Sequence, residues 1–357
     1  MKIQIILVVL GFVTCVVMYS WAQDKDSSFK TSGVASLDQA RAFYELGDYK
    51  AAVQVYDDVL RQAPESALAS AEKASCLNQI HRYDEALLAS EKAIQVDRTC
   101  ILAYAARGDA LGFLGRQEEA AKAYVTGEAI TPQDATAFIY RGALQFAMKS
   151  PQSAIDDLKK AIDLDPKSSL AYYTRALAYE ATEAPEKAMA DFAQAIFLNP
   201  RNAQAYVSRG NLYATQGDHE KALADWNNAI EANPNFALAF FNRGTFYGVY
   251  RQDFSREIAD CSKAIELDPK YEDAYNNRGH AYKSLSQYDK ALSDFTKVIE
   301  LDPTRAAAYQ GRGVTYGKKG DYAAAKKDWQ KAVELDPDGD IGKRAQGNLQ
   351  ALKNAGY

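Results

Sequence analysis

Apolar residues in this chain recur at helical spacing, in paired short runs separated by polar breaks. Tyr206, Gly210 and Tyr213 fall at i, i+4 and i+7, one face of a helix. Gly217-Asp218 breaks that run, and Asp218 is suited to cap a following helix. Ala222, Trp226, Ala229 and Ile230 then occupy i, i+4, i+7 and i+8 of a second helix. Asn233-Pro234 ends it, because a residue before proline is pushed out of the helical region. The predicted element is helix–turn–helix–turn. Gly210, Ala222 and Ala229 let its two helices approach, while Tyr206, Tyr213 and Trp226 fill the gaps.

The same unit returns along most of the chain. Pro132, Pro166, Pro200 and Pro234 stand 34 residues apart, as do Pro269, Pro303 and Pro337. Pro64 lies two intervals before Pro132, with Arg98 at the place between. A period of this length marks an array in which each unit buries its apolar face against its neighbours. Nine units cover 33–339, beginning at Gly33, Ala67, Ile101, Ala135, Ser169, Ala203, Ala237, Glu272 and Ala306. The first aromatic is Tyr104, Phe138, Tyr172, Tyr206, Phe240, Tyr275 and Tyr309 in units three to nine, with Ser36 and Ser70 at its place in units one and two. The small residue opening the second helix is Ala52, Ala86, Ala120, Ala154, Ala188, Ala222, Ala291 and Ala325. Unit seven departs from this pattern. The step from Pro234 to Pro269 is 35, which predicts one extra residue in the turn Val249-Tyr250-Arg251-Gln252-Asp253. The unit also carries Glu257 for the alanine and Cys261 for the second-helix aromatic.

This pattern of an aromatic, a small residue and a second aromatic, then Ala, aromatic, Ala and Pro, resembles the tetratricopeptide repeat family. The resemblance implies an all-α solenoid, a right-handed superhelix of helix–turn–helix repeats whose first helices line a concave groove. After Pro337, Ile341, Ala345, Leu349 and Leu352 keep helical spacing among charged and amide residues. A C-terminal capping helix within 340–357 is expected, since terminal repeats need a polar cover.

The first 22 residues differ in kind. Lys2 is their only charge, Ile3 to Tyr19 is almost wholly apolar, and Ser20-Trp21-Ala22 offers small residues for cleavage. This is the pattern of a secretory signal cleaved after Ala22, followed by a polar tether at 23–32. An uncleaved anchor over 3–22 is the alternative, with lipidation at Cys15 a third and poorer fit. The repeats are therefore expected outside the cytoplasm, periplasmic or secreted, or anchored to a membrane through this segment alone.

Charge and chemistry narrow the function classes. The formal net charge is −5, and loss of Lys2 with the leader makes it one more negative. That acidity argues against a nucleic-acid partner. Cys76, Cys100 and Cys261 are odd in number and lack metal-ligand spacing, and His81, His219 and His280 lie in separate units. No phosphate loop or nucleophile turn is present, so neither an enzyme, a metal nor a cofactor is expected. Arg107, Arg141, Arg175, Arg209, Arg243, Arg278 and Arg312 recur in first helices. Asp157, Asp191, Asp225, Asp260, Asp294 and Asp328 recur in second helices. Residues repeated in every unit hold units together, here as ion pairs between adjacent helices of modest net value.

Function is expected where units differ. By the resemblance, Tyr173, Asn211, Phe241, Asn242, Asn277, His280 and Lys283 lie on the groove face of units five to eight. Asparagines on successive first helices hold peptide backbones in some family members, because an amide both donates and accepts. Other members clamp a C-terminal carboxylate between lysines. Val207 and Asp273 stand where those lysines are needed, which excludes that activity here. The expected function is a scaffold that binds a protein or peptide partner in its groove, as in assembly of an envelope or secreted complex. The alternative is a self-assembling structural protein that forms homo-oligomers.

Overall fold

The computed structural model describes residues 36–45 and 48–357. The expected cleavage site at Ala22, the leader and the tether lie outside the described residues. In chain order the helices are α1 (Leu37–Glu45), α2 (Tyr49–Gln62), α3 (Ala67–Gln79), α4 (Tyr83–Val96), α5 (Ile101–Phe113), α6 (Gln117–Glu128), α7 (Ala135–Ala147), α8 (Pro151–Leu164), α9 (Ser169–Ala181) and α10 (Pro185–Leu198). They continue as α11 (Ala203–Thr215), α12 (His219–Ala232), α13 (Ala237–Arg251), α14 (Phe254–Leu267), α15 (Glu272–Ser284), α16 (Tyr288–Leu301), α17 (Ala306–Lys319), α18 (Tyr322–Leu335) and α19 (Asp340–Asn354). The fold is all-α, and the first helices from α3 onward begin where the repeat phase places them.

Local chemistry sets these boundaries. Asp48, Ser66, Asp134, Ser168, Asn202, Asp253 and Asp321 each accept the N–H three residues on, capping the helix that follows. First helices from α3 onward end on a left-handed residue: His81, Gly115, Lys149, Glu183, Gly217, Gln252, Ser286 and Gly320. The next N–H then returns to a carbonyl five residues back, as from Gln287 to Tyr282. Repeat seven breaks this rule. Asp253 N–H reaches back six residues to Tyr247 O, and α13 runs on through Arg251.

The inserted residue is therefore absorbed in the last helical turn, and Val249, Tyr250 and Arg251 are helical, not turn as expected. A widened turn keeps its backbone hydrogen bonds, since the Gln252 N–H also bonds Tyr247 O. It costs little packing, because Val249 and Tyr250 remain 64 % and 53 % exposed.

The chain divides into two compact bodies. The N-terminal body runs to Asp218 and includes Glu231–Pro234; the C-terminal body comprises His219–Ile230 and Asn235–Tyr357. In both, the alanines that open second helices are buried, as Ala188 and Ala325 are. Glycines of the first helices lie beneath the large residues of the second. A Cβ on Gly313 would stand 2.8 Å from Trp329, and one on Gly108 would stand 2.3 Å from Tyr124. Fully buried Phe192 and Phe295 anchor one repeat in each body, each worth about 2–3 kcal/mol of apolar burial. In the C-terminal body, α19 sets Ala345, Leu349 and Leu352 against Trp329 and Ala332. Asp336 caps α19 by accepting the N–H groups of Ile341 and Gly342, both at 3.1 Å.

Repeat seven keeps the architecture with weaker parts. Cys261 fills the aromatic's place, and Glu257 is only 6 % exposed at the alanine's. The Glu257 carboxyl lies over Gly248, where a Cβ would stand 2.1 Å from Oε2. Burial pushes this carboxyl up to about 7, from the ordinary 4.5. The folded state thus binds the proton more tightly than the unfolded chain does. Its contribution to stability is full below about pH 4.5 and is lost as pH rises through about 7. Glu180 in the N-terminal body shifts the same way, so the readout is a difference between variants. Denaturant titrations from pH 4 to 8 should show a shallower decline for Glu257→Gln than for the wild type. Parallel curves would show that the carboxyl is not buried in the folded protein.

Candidate functional site

The recurring arginines were expected to form modest ion pairs. Their geometry is stronger than that. Arg141, Arg175, Arg278 and Arg312 each reach the aspartate sixteen residues on with Nε and Nη2, at 2.6–2.9 Å. Arg243 makes the same fork to Asp260 at 2.7–2.8 Å, one residue later because of the insertion. These aspartates are buried, so the weak surface-pair regime does not apply. Each guanidinium also rests on the first aromatic, as with Arg278 5.4 Å from the Tyr275 centroid and Arg175 5.5 Å from that of Tyr172.

The remaining nitrogen often reaches back one repeat. Arg243 Nη1 bonds Asn227 at 2.8 Å, Arg278 Nη1 bonds Ser262 at 3.0 Å, and Arg312 Nη1 bonds Thr296 at 3.1 Å. Arg107, whose repeat has Ala123 at the aspartate's place, turns to Glu91 of the preceding repeat at 3.4 Å. One side chain thus ties three helices. A second signal for this was present in the sequence: a polar residue sixteen before the arginine.

The expected groove residues fall in different settings. Tyr173 is not a groove residue. It is 3 % exposed, with its ring 5.9 Å from Phe192, because the first helices of the N-terminal body pack closely there. Asn211 is exposed on α11 in the same body. The other five belong to the C-terminal body, on α13 and α15, and all are half-buried. Phe241 packs against Tyr271 with centroids 4.9 Å apart. Asn277 Nδ2 donates to Thr245 Oγ1 on the previous first helix at 3.0 Å. Lys283 Nζ lies 3.0 Å from His280 Nδ1, and the His280 ring meets Phe295 edge-on at 5.0 Å. Burial and the Lys283 charge push the imidazole down to about 4, so it is neutral near pH 7. Thr245, the partner of Asn277, was not among the residues singled out from the sequence.

Places equivalent to these on α3, α5, α7 and α9 are closed, whereas Ser208 on α11 is half-buried and Asn211 exposed. Glu72, Ala106, Tyr140 and Thr174 match Asn242 and Asn277 in the repeat, and all are buried. Glu72 is held by Arg41 at 2.6 Å and by the Tyr56 hydroxyl at 3.1 Å, so its oxygens are spent internally. A recess of about 560 Å³ also exists in the C-terminal body, between α15 and α16. It includes the Arg278–Asp294 pair and Lys297, and none of the expected groove residues lines it. Among the described residues no cluster of His, Cys, Asp or Glu is arranged to hold a metal, and no helix is long and apolar enough to cross a membrane.

Sequence profiles of the tetratricopeptide repeat match residues 37–98, 105–169, 170–202, 203–236, 272–305 and 306–338. The chain belongs to the tetratricopeptide repeat family. Within 105–338 the matched spans leave out 237–271, which is the irregular seventh repeat. A comparison with curated protein sequences finds no match.

Among solved structures, the chain resembles the APC/C hetero-tetramer Cut9-Hcn1. The TM-score is 0.62 at 17 % identity, covering 94 % of this chain and 68 % of that one. It also resembles pilF of Pseudomonas aeruginosa, with TM-score 0.54, 17 % identity, and coverage of 60 % and 97 %. YrrB, described as a TPR protein with an unusual peptide-binding site, matches at 26 % identity and TM-score 0.46, covering 53 % and 97 %. The likeness to the first two is one of fold. Tetratricopeptide arrays are protein–protein interaction scaffolds, generally without enzymatic activity, and this chain is one by fold and family.

The arginine fork predicts a specific energetic pattern. Arg278→Ala strands a buried Asp294 and should lower stability by about 3 kcal/mol. The double variant Arg278→Ala/Asp294→Ala should recover part of that loss, because the uncompensated charge is gone. Chemical denaturation measures both, and additive losses would contradict a buried pair.

Proposed function

We propose that the C-terminal body binds an extended segment of a partner protein along α13, α15 and α17. The observation that carries this reading is the contrast between the closed first helices α3 to α9 and those of the C-terminal body. At matching places α3, α5, α7 and α9 carry buried residues, whereas α13 and α15 offer half-buried Asn242, Asn277 and His280. Asn277 spends one amide hydrogen on Thr245, which fixes the side chain and leaves Oδ1 to accept from a peptide N–H. Phe241 beside Tyr271 offers an apolar contact. The leader pattern at residues 1–22 supports a location outside the cytoplasm, with a role in assembling an envelope or secreted complex.

A second reading has its own observation. Second helices of the N-terminal body expose Leu88, Val125, Leu164 and Phe197, the last at 77 %. Large apolar side chains left in water favour self-association. Light scattering across a concentration series separates the readings, since a monomer at all concentrations removes the second.

The test of the first reading uses a partner captured on the full chain. Asn242→Ala/Asn277→Ala should weaken its binding by roughly 1–3 kcal/mol. Thr245→Val is the control. It removes only the intramolecular bond, so it should cost some stability and leave most of the affinity. Unchanged affinity in the double variant would place the binding surface elsewhere.

A further inference from the structure

Cations on the first helices of the C-terminal body are paired, with two exceptions. Arg243 holds Asp260, Arg278 holds Asp294, and Arg312 holds Asp328. Arg251 holds Glu220 and Lys319 holds Asp289, and Arg305, just before α17, holds Glu272 and Asp273. Lys283 on α15 and Lys318 on α17 meet no carboxylate among the described residues. Lys283 is half-buried, and a cation there is costlier to leave unbalanced than one at the surface. Burial, together with the charge of Lys318 close by, pushes its ammonium down from the ordinary lysine value.

The surroundings of Lys283 offer hydrogen-bond partners but no negative charge. Its Nζ donates to His280 Nδ1 at 3.0 Å, which leaves the hydrogen of the neutral ring on Nε2 as a further donor. Asn276 lies four residues before His280, on the same helix face, and its Oδ1 is buried with no donor. One stripe of α15 therefore carries an uncompensated cation, a free ring N–H and an unsatisfied acceptor. A peptide with a carboxylate side chain supplies what each lacks.

We propose that Lys283, Lys318 and His280 hold a side-chain carboxylate of an acidic partner segment, with Asn276 Oδ1 accepting an N–H of that segment. The proposal rests on the peptide-binding reading above and adds the chemistry of the partner. A singly charged carboxylate suits the site better than a phosphate dianion. Both lysines lie in the last turn of their helices, where the helix dipole is negative, and the arginines nearby are committed to aspartates. A side-chain carboxylate suits it better than a terminal one, because α13 and α17 both neighbour α15 and a bound segment continues past Lys283. The protein's net negative charge gives no general attraction for acids, so the preference must come from this site.

Fluorescence anisotropy with the full chain at low salt tests the proposal. The probes are labelled peptides of about ten residues: alternating Glu-Ala with both ends blocked, Gln-Ala with both ends blocked, and Gln-Ala with a free terminal carboxylate. The Glu-Ala peptide should bind at least about tenfold more tightly than either Gln-Ala peptide. Lys283→Gln and Lys318→Gln should each weaken it about fivefold, whereas Lys326→Gln/Lys327→Gln on α18 should not. Equal affinity for the three peptides, no binding of the Glu-Ala peptide, or an equal loss in the α18 variant overturns the carboxylate site. Preference for the free-ended peptide overturns the side-chain assignment. If Gln-Ala binds as well as Glu-Ala and both are lost in Asn242→Ala/Asn277→Ala, peptide binding stands while the acidic preference falls.

Discussion

A guanidinium laid on an aromatic ring and forked onto a buried aspartate joins the two helices of a repeat. In repeats seven to nine its remaining nitrogen also binds the preceding repeat, through Asn227, Ser262 and Thr296. The rest of the structure depends on this tie, because apolar packing alone does not set the angle between neighbours. Alanines and glycines allow the helices to approach, and large side chains fill the space. Neither is directional. The fork is planar and fits a carboxylate in one orientation, so it fixes how successive helices sit.

Uniform ties permit variation elsewhere. Up to α9 the N-terminal body spends its first-helix surface on internal packing, with Tyr173, Tyr140 and the Arg41–Glu72–Tyr56 network buried. The C-terminal body leaves half-buried Asn242 and Asn277 at the place of Tyr140, and further along its first helices two lysines that meet no carboxylate among the described residues. Repeat seven shows the cost of departing from the pattern. It keeps its Arg243–Asp260 fork, so its helices are in place. It lacks the alanine and the aromatic, so its interior holds an acid and a thiol where other repeats hold packed carbon.

The repeat phase made the helices legible in the sequence, because a 34-residue period with fixed small and aromatic places admits one reading. Helix starts at Ala67, Ile101 and Glu272 follow directly from it. The insertion was misplaced because sequence counts a residue without saying whether a turn or a helix takes it up. Backbone hydrogen bonding to Tyr247 O decided for the helix. Tyr173 was misread for a related reason. A repeat position indicates a face, but the closeness of neighbouring repeats decides whether that face meets solvent. The Asn277–Thr245 bond and the unpaired state of Lys283 and Lys318 depend on contacts between repeats, which no single repeat's pattern contains.

If stability is set repeat by repeat through local interfaces, repeat seven is the soft point of the C-terminal body. Native-state hydrogen exchange measures this directly. Amides of α14, at Phe254–Leu267, should exchange faster than those of α16, at Tyr288–Leu301, whose core place holds fully buried Phe295. Equal protection in the two helices would contradict the account, since it would mean that the array opens as a single cooperative unit regardless of what each interface contains.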